Sequence, residues 1–162
     1  EQVIGAGKKF NDVDTSPIIV GDKVYAYADG QQLIVVDINN GVIKNRLDYF
    51  PTSDLFASKT HVYFGDNNGR VFEISKTTGT ISVVNTQGST KIKFVRPWKN
   101  GVVTFDDKGE ISHFLLENTK INKMSKESFR VGSKGSSIIS SPKIDGDNLI
   151  VTSSLGRIVY FR

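Results

Sequence analysis

Four glycines, Gly30, Gly69, Gly109 and Gly156, each sit between two short apolar runs: KVYAYADGQQLIVVD, HVYFGDNNGRVFEIS, GVVTFDDKGEISHFL and NLIVTSSLGRIVYFR. The intervals between them are 39, 40 and 47 residues. A period of roughly 40 with several short strands per unit is the mark of a β-propeller, in which each repeat is one small sheet stacked on its neighbours. The expectation is an all-β chain: a β-propeller of four-stranded antiparallel blades, with about four blades present. Such a platform hosts many functions, so catalysis would have to be read from a site and not from the fold.

Within the first unit, residues 16–20 make a short apolar strand and Gly21-Asp22 a hairpin turn. Residues 23–28 then alternate, with Val24, Ala26 and Ala28 on one face and Tyr25 and Tyr27 on the other. Asp29-Gly30 turns again, residues 33–38 form a third strand, and 42–47 follow the Asn39-Asn40-Gly41 turn. The second unit is expected at 54–57, 61–65, 70–75 and 80–84, and the third at 93–97, 102–106, 110–116 and from 121 onward. Residues 125–137 read as part of an outer strand plus an extended connection. The fourth unit has 138–144, 149–152 and 157–161, with no outermost strand. The expected blades are therefore 13–49, 52–86, 92–131 and 137–162, with 1–6 a strand of a neighbouring or closing blade. Three assemblies stand open: a fragment of a longer propeller, a four-blade ring, and half of a dimeric ring. Unpaired sheet edges make self-association an expectation. No segment carries a three-turn helical apolar period.

Composition narrows function mainly by exclusion. The formal charge is +4, from 21 basic and 17 acidic residues, and the lysines are scattered and not clustered. That reads as a solvated surface, and no nucleic-acid partner is expected. The absence of cysteine removes disulfides, thiolate nucleophiles and Cys-based zinc sites. No apolar stretch approaches the ~20 residues needed to span a bilayer, and no segment reads as a signal peptide. The only histidines, His61 and His113, fall in what read as corresponding regions of different blades, with no third ligand beside them, so no metal is expected. Asp22, Asp29, Asp66, Asp106, Asp107, Asp145 and Asp147 lie at hairpin turns, where Asp is favoured for local hydrogen bonding. No phosphate loop and no Gly-x-Ser-x-Gly nucleophile motif can be read. The expectation is a chain that is not an enzyme, with no catalytic residues and no cofactor.

Longer motifs narrow the reading further. Asp12-Val13-Asp14-Thr15-Ser16-Pro17-Ile18-Ile19-Val20, followed by Val24-Tyr25, opens the first unit. Ser53-Asp54-Leu55-Phe56 opens the next with an acidic residue where a proline would be expected, and Ser141-Pro142-Lys143-Ile144-Asp145-Gly146-Asp147 leads to the closing Gly156-Arg157-Ile158-Val159-Tyr160. Together these resemble the C-terminal half of the BamB family, β-propeller lipoproteins with PQQ-like repeats in the outer-membrane β-barrel assembly machinery. The resemblance implies a non-catalytic scaffold of eight blades on the periplasmic face of a Gram-negative outer membrane. It implies docking on the barrel-forming assembly protein (BamA-like) and contact with nascent outer-membrane proteins. Membrane attachment would be only through a lipid anchor, which is absent from this chain. One departure is the lack of a tryptophan in the fourth strands, where Arg46-Leu47 and Ser82-Val83 stand.

The candidate partner-binding residues are Asp12, Asp14, Arg96 and Trp98. Asp12 and Asp14 alternate with Val13, so both carboxylates leave one side of an extended segment, suited to a partner's Arg or Lys. The resemblance implies that docking role for them; the alternative is that they satisfy local backbone amides. Arg96-Pro97-Trp98 is the secondary candidate, read as an Arg beside a Trp on a loop. For Phe10, Phe50 and Trp98 the alternative is packing between blades. Two other functions compete: a fragment of a quinone-dependent dehydrogenase, which would need a Ca²⁺ shell around a stacked cofactor, and a generic propeller module for protein interaction or surface repeats.

Overall fold

The computed structural model describes residues 16–28, 31–85, 90–117, 120–130 and 137–162. They form four antiparallel sheets in chain order. The first holds β1 (Ile18–Val20), β2 (Lys23–Ala26), β3 (Leu33–Asp37) and β4 (Ile43–Leu47). The second holds β5 (Phe56–Ala57), β6 (His61–Gly65), β7 (Val71–Ser75) and β8 (Ile81–Asn85). The third holds β9 (Ile92–Trp98), β10 (Gly101–Asp106), β11 (Glu110–Glu117) and β12 (Lys120–Arg130). The fourth has three strands, β13 (Lys143–Asp145), β14 (Asn148–Thr152) and β15 (Ile158–Phe161). Among the described residues, no helix is long and apolar enough to cross a membrane.

Turn chemistry sets this meander. Between the second and third strands, Asp66 accepts the amides of Asn68 and Arg70 on Oδ1, both at 2.9 Å. Asp106 repeats the pattern with Lys108 at 2.9 Å and Glu110 at 2.7 Å. In the fourth sheet Ser153 takes the same position and accepts from the Arg157 amide at 3.2 Å. Each turn closes through a left-handed glycine, Gly69, Gly109 or Gly156, at φ 71–76°, a region that costs other residues about 1–2 kcal/mol. The aspartates of these hairpins are thus occupied by their own backbone. The Asp29-Gly30 turn and residues 1–6 lie outside the described residues.

The alternation of side chains buries both faces of the inner sheets. On β6 and β7, Val62, Phe64, Phe72 and Ile74 pack toward the first sheet, against Tyr25, Tyr27, Leu33 and Val35. The Phe64 and Phe72 rings stack at 4.9 Å, and Tyr49 meets Phe72 edge-on at 5.1 Å. Tyr63 and Val71 point the other way, toward Ile92, Val95 and Val102 of the third sheet. On the far side of that sheet, Val103, Phe105, Ile111 and Trp98 meet Ile138, Leu149 and Val151. Each fully buried side chain of this size contributes about 1.5–3 kcal/mol. Aliphatic and Phe/Tyr contacts dominate, and Trp98 joins the last interface.

Three sequence expectations need correction. His61 lies on the second strand of its sheet and His113 on the third strand of the next, so the two do not occupy corresponding positions. The alternation there is similar, but the turn before His61 is a first-to-second connection and that before His113 is not. The strand expected over 138–144 is shorter: Ile138 makes an isolated bridge with Ser153, and pairing starts only at Lys143, after Pro142, which has no amide to donate. Arg96-Pro97-Trp98 is not a loop; β9 runs on through Trp98, which pairs with Gly101 across a two-residue turn.

Candidate partner-binding site

The first strands of the four sheets share one register. Ile18 pairs with Tyr25, Phe56 with Tyr63, Arg96 with Val103 and Lys143 with Ile150, in each case seven residues further on. Each of these first-strand residues therefore holds the same place in its sheet. Three of them, Phe56, Arg96 and Lys143, line one open cleft of about 450 Å³ with Pro97, Ser141, Pro142 and Ile144. Equivalent positions of consecutive sheets converge on this cleft.

Arg96 ties its walls together. Its Nη1 donates to Asp54 Oδ1 at 3.0 Å and to the Val95 carbonyl at 2.7 Å. Its Nη2 donates to Asp54 Oδ2 and to Ser141 Oγ. The guanidinium also lies 4.9 Å from the Phe56 ring centre and 5.9 Å from that of Phe94. One planar cation thus joins the connection ahead of β5, its own strand and the segment ahead of β13. The bidentate fork is a geometry arginine makes and lysine does not. Arg96 is only 7% exposed, so it forms the floor of the cleft more than its rim.

Neighbouring polar groups are equally committed. Ser53, fully buried, accepts the Gly65 amide on Oγ at 2.7 Å and donates to the Asp54 carbonyl at 2.8 Å. The Ser53 carbonyl in turn receives the Tyr27 hydroxyl from the first sheet. These bonds hold the Asp54 carboxylate in position for Arg96.

Trp98 lies outside the cleft, in the core between the third and fourth sheets. Its indole N–H donates to the Asp147 carbonyl at 3.0 Å, and its ring sits 4.9 Å from that of His113. Lys99 covers its outer side, with Nζ 4.5 Å from the ring centre. Of the residues singled out from sequence, Arg96 and Trp98 are on one strand, Phe50 is half exposed elsewhere, and Asp12, Asp14 and Phe10 lie outside the described residues. Sequence reasoning missed Ser141 and the internal role of Asp54, although the acidic residue at position 54 was itself the signal. No group of three or more His, Asp or Glu side chains suited to a metal occurs among the described residues.

Residues 2–85 match the family described as outer membrane protein assembly factor BamB. The chain belongs to the BamB family. BamB of Yersinia pestis is 24% identical over 99% of this chain and 40% of its own length. BamB of Salmonella typhimurium is 30% identical over 44% of this chain and 18% of its own. The chain therefore spans less than half the length of these curated BamB relatives. The crystal structure of BamB from Moraxella catarrhalis superposes with a TM-score of 0.69 at 16% identity, over 98% of this chain and 46% of that one. The computationally designed Ika4 protein gives 0.72 at 15% identity, over 94% and 92% of the two chains. At these identities the structural likeness is one of fold.

Proposed function

We propose that this chain is part of a non-catalytic propeller scaffold that docks on the barrel-forming, BamA-like protein of outer-membrane assembly, at the periplasmic face of the outer membrane. The carrying observation is the BamB family match over residues 2–85, which includes Asp12 and Asp14. The four sheets are read as consecutive blades, a reading supported by the shared register of their first strands. Asp12 and Asp14 would supply charge-assisted hydrogen bonds to Arg or Lys of the partner. Arg96 would hold the cleft walls at their working separation, and Trp98 would fix the β9–β10 turn from beneath. Nascent outer-membrane proteins are a second class of partner in this reading. The family match favours the scaffold over a quinone-dependent dehydrogenase fragment.

The test is calorimetric titration of a protein carrying this chain with the periplasmic part of the barrel-forming assembly protein. Asp12→Arg together with Asp14→Arg should abolish binding while the melting temperature holds. Undiminished affinity of the folded double variant would remove the docking role of these two residues, and no binding by the unaltered protein would remove the scaffold reading.

A further inference from the structure

A second recess lies away from the Arg96 cleft, where the connection after β4 crosses the β6–β7 hairpin. It has a volume of about 170 Å³, and its lining includes Asp48, Tyr49, Phe50, Asp66, Arg70 and Phe72. Its walls are fixed in place. The Leu33 amide donates to the Tyr49 carbonyl at 2.9 Å, the Thr52 amide to the Gly65 carbonyl at 2.8 Å, and Pro51 bridges Asp66. A preformed recess of this kind loses little entropy on binding.

The charges in it are not equivalent. Arg70 is spent on Asp66: both Nε and Nη2 lie 2.6 Å from Asp66 Oδ2, and the guanidinium rests 5.3 Å from the Phe72 ring centre. Asp48 is different. Among the described residues its side chain has one partner, the Gln32 amide at 3.3 Å, and no cation. Beside it Phe50 presents a ring that is 48% exposed. The recess therefore carries one carboxylate in excess, next to an aromatic face with no ring or cation on it among the described residues. Those are the two features that bind an ammonium or guanidinium group.

We propose that this recess receives a lysine or arginine side chain presented by a protein partner, its cation between Asp48 and the Phe50 ring. The proposal does not rest on the assembly role, because it uses neither the Arg96 cleft nor Asp12 and Asp14. Amide NMR spectra of the ¹⁵N-labelled protein, titrated with Nα-acetyl-arginine amide and with the matching lysine, glutamine and glutamate amides, test it. The two basic probes should shift the amides of residues 48–50 and 67–70 saturably and weaken with added salt. Asp48→Asn should lower that affinity about fivefold, the worth of one exposed charge pair, and Asp48→Lys should abolish it with the fold intact. Shifts of equal size with the glutamate amide, shifts confined to other residues, or an Asp48→Lys variant that binds the basic probes unchanged would each overturn the proposal.

Discussion

Arg96 shows how one side chain can serve three sheets. Its positive charge is almost out of water, and Asp54 is the carboxylate that balances it. Removing one partner of a buried ion pair leaves the other uncompensated, which is where the cost arises. Asp54→Asn should therefore lower unfolding free energy by about 2–3 kcal/mol. A double-mutant cycle with Arg96→Met should recover part of it, read from urea denaturation. Glu73 gives the opposite sign. Burial holds its carboxyl above the usual range, partly offset by nearby His61. The folded state therefore binds the proton more tightly than the unfolded chain, and stability is lost as pH rises through that raised value. Glu73→Gln should stabilise the protein at pH 7 and make no difference once the pH falls below about 4, where the unfolded carboxyl is also protonated. Equal stabilisation at both pH values would contradict this account.

The elements are held by their turns and by close approach between sheets. Three first-to-second-strand turns begin with a residue at positive φ: Gly21 at 60°, Gly146 at 57° and Lys99 at 50°. Lysine is the one non-glycine described in that region, and it retains a contact with Trp98 worth about 0.5–1 kcal/mol at an exposed site. Lys99→Gly should be neutral to about 1 kcal/mol stabilising, since relief of backbone strain exceeds the lost contact; a clear fall in melting temperature would show that the Trp98 contact dominates. At Gly65 the constraint is steric: a Cβ would overlap the side chain of Ile92 in the neighbouring sheet. Gly65→Ala should cost about 1–3 kcal/mol by forcing those sheets apart. Much at this scale was legible in the sequence. Period-two alternation gave the Tyr25/Tyr27 face, and the recurring turn glycines Gly69 and Gly109 gave the hairpins at Asp66 and Asp106. Phe56, Arg96 and Lys143 each stand ten residues ahead of the residue that opens the next hairpin, Asp66, Asp106 or Ser153, a spacing that marks no site until the sheets are stacked. What could not be read was commitment. Arg96 next to Trp98 looks like an interaction pair in one dimension, whereas the stacking of sheets turns one inward to Asp54 and Ser141 and buries the other against His113.

For the whole molecule, the sheets stack in chain order, and the first strands of the second, third and fourth bring equivalent positions to one cleft. The chain-to-partner contacts proposed above therefore fall on connecting segments, because the faces of the middle two sheets are already filled by their neighbours. Hydrogen exchange of a protein carrying this chain, with and without the periplasmic part of the barrel-forming assembly protein, tests that claim most directly. Protection should appear in the segment containing Asp12 and Asp14 and in the connections between sheets, while β6, β7 and β10 exchange equally slowly in both states. Equal exchange everywhere under saturating partner, or protection confined to the strands of the sheets, would contradict it.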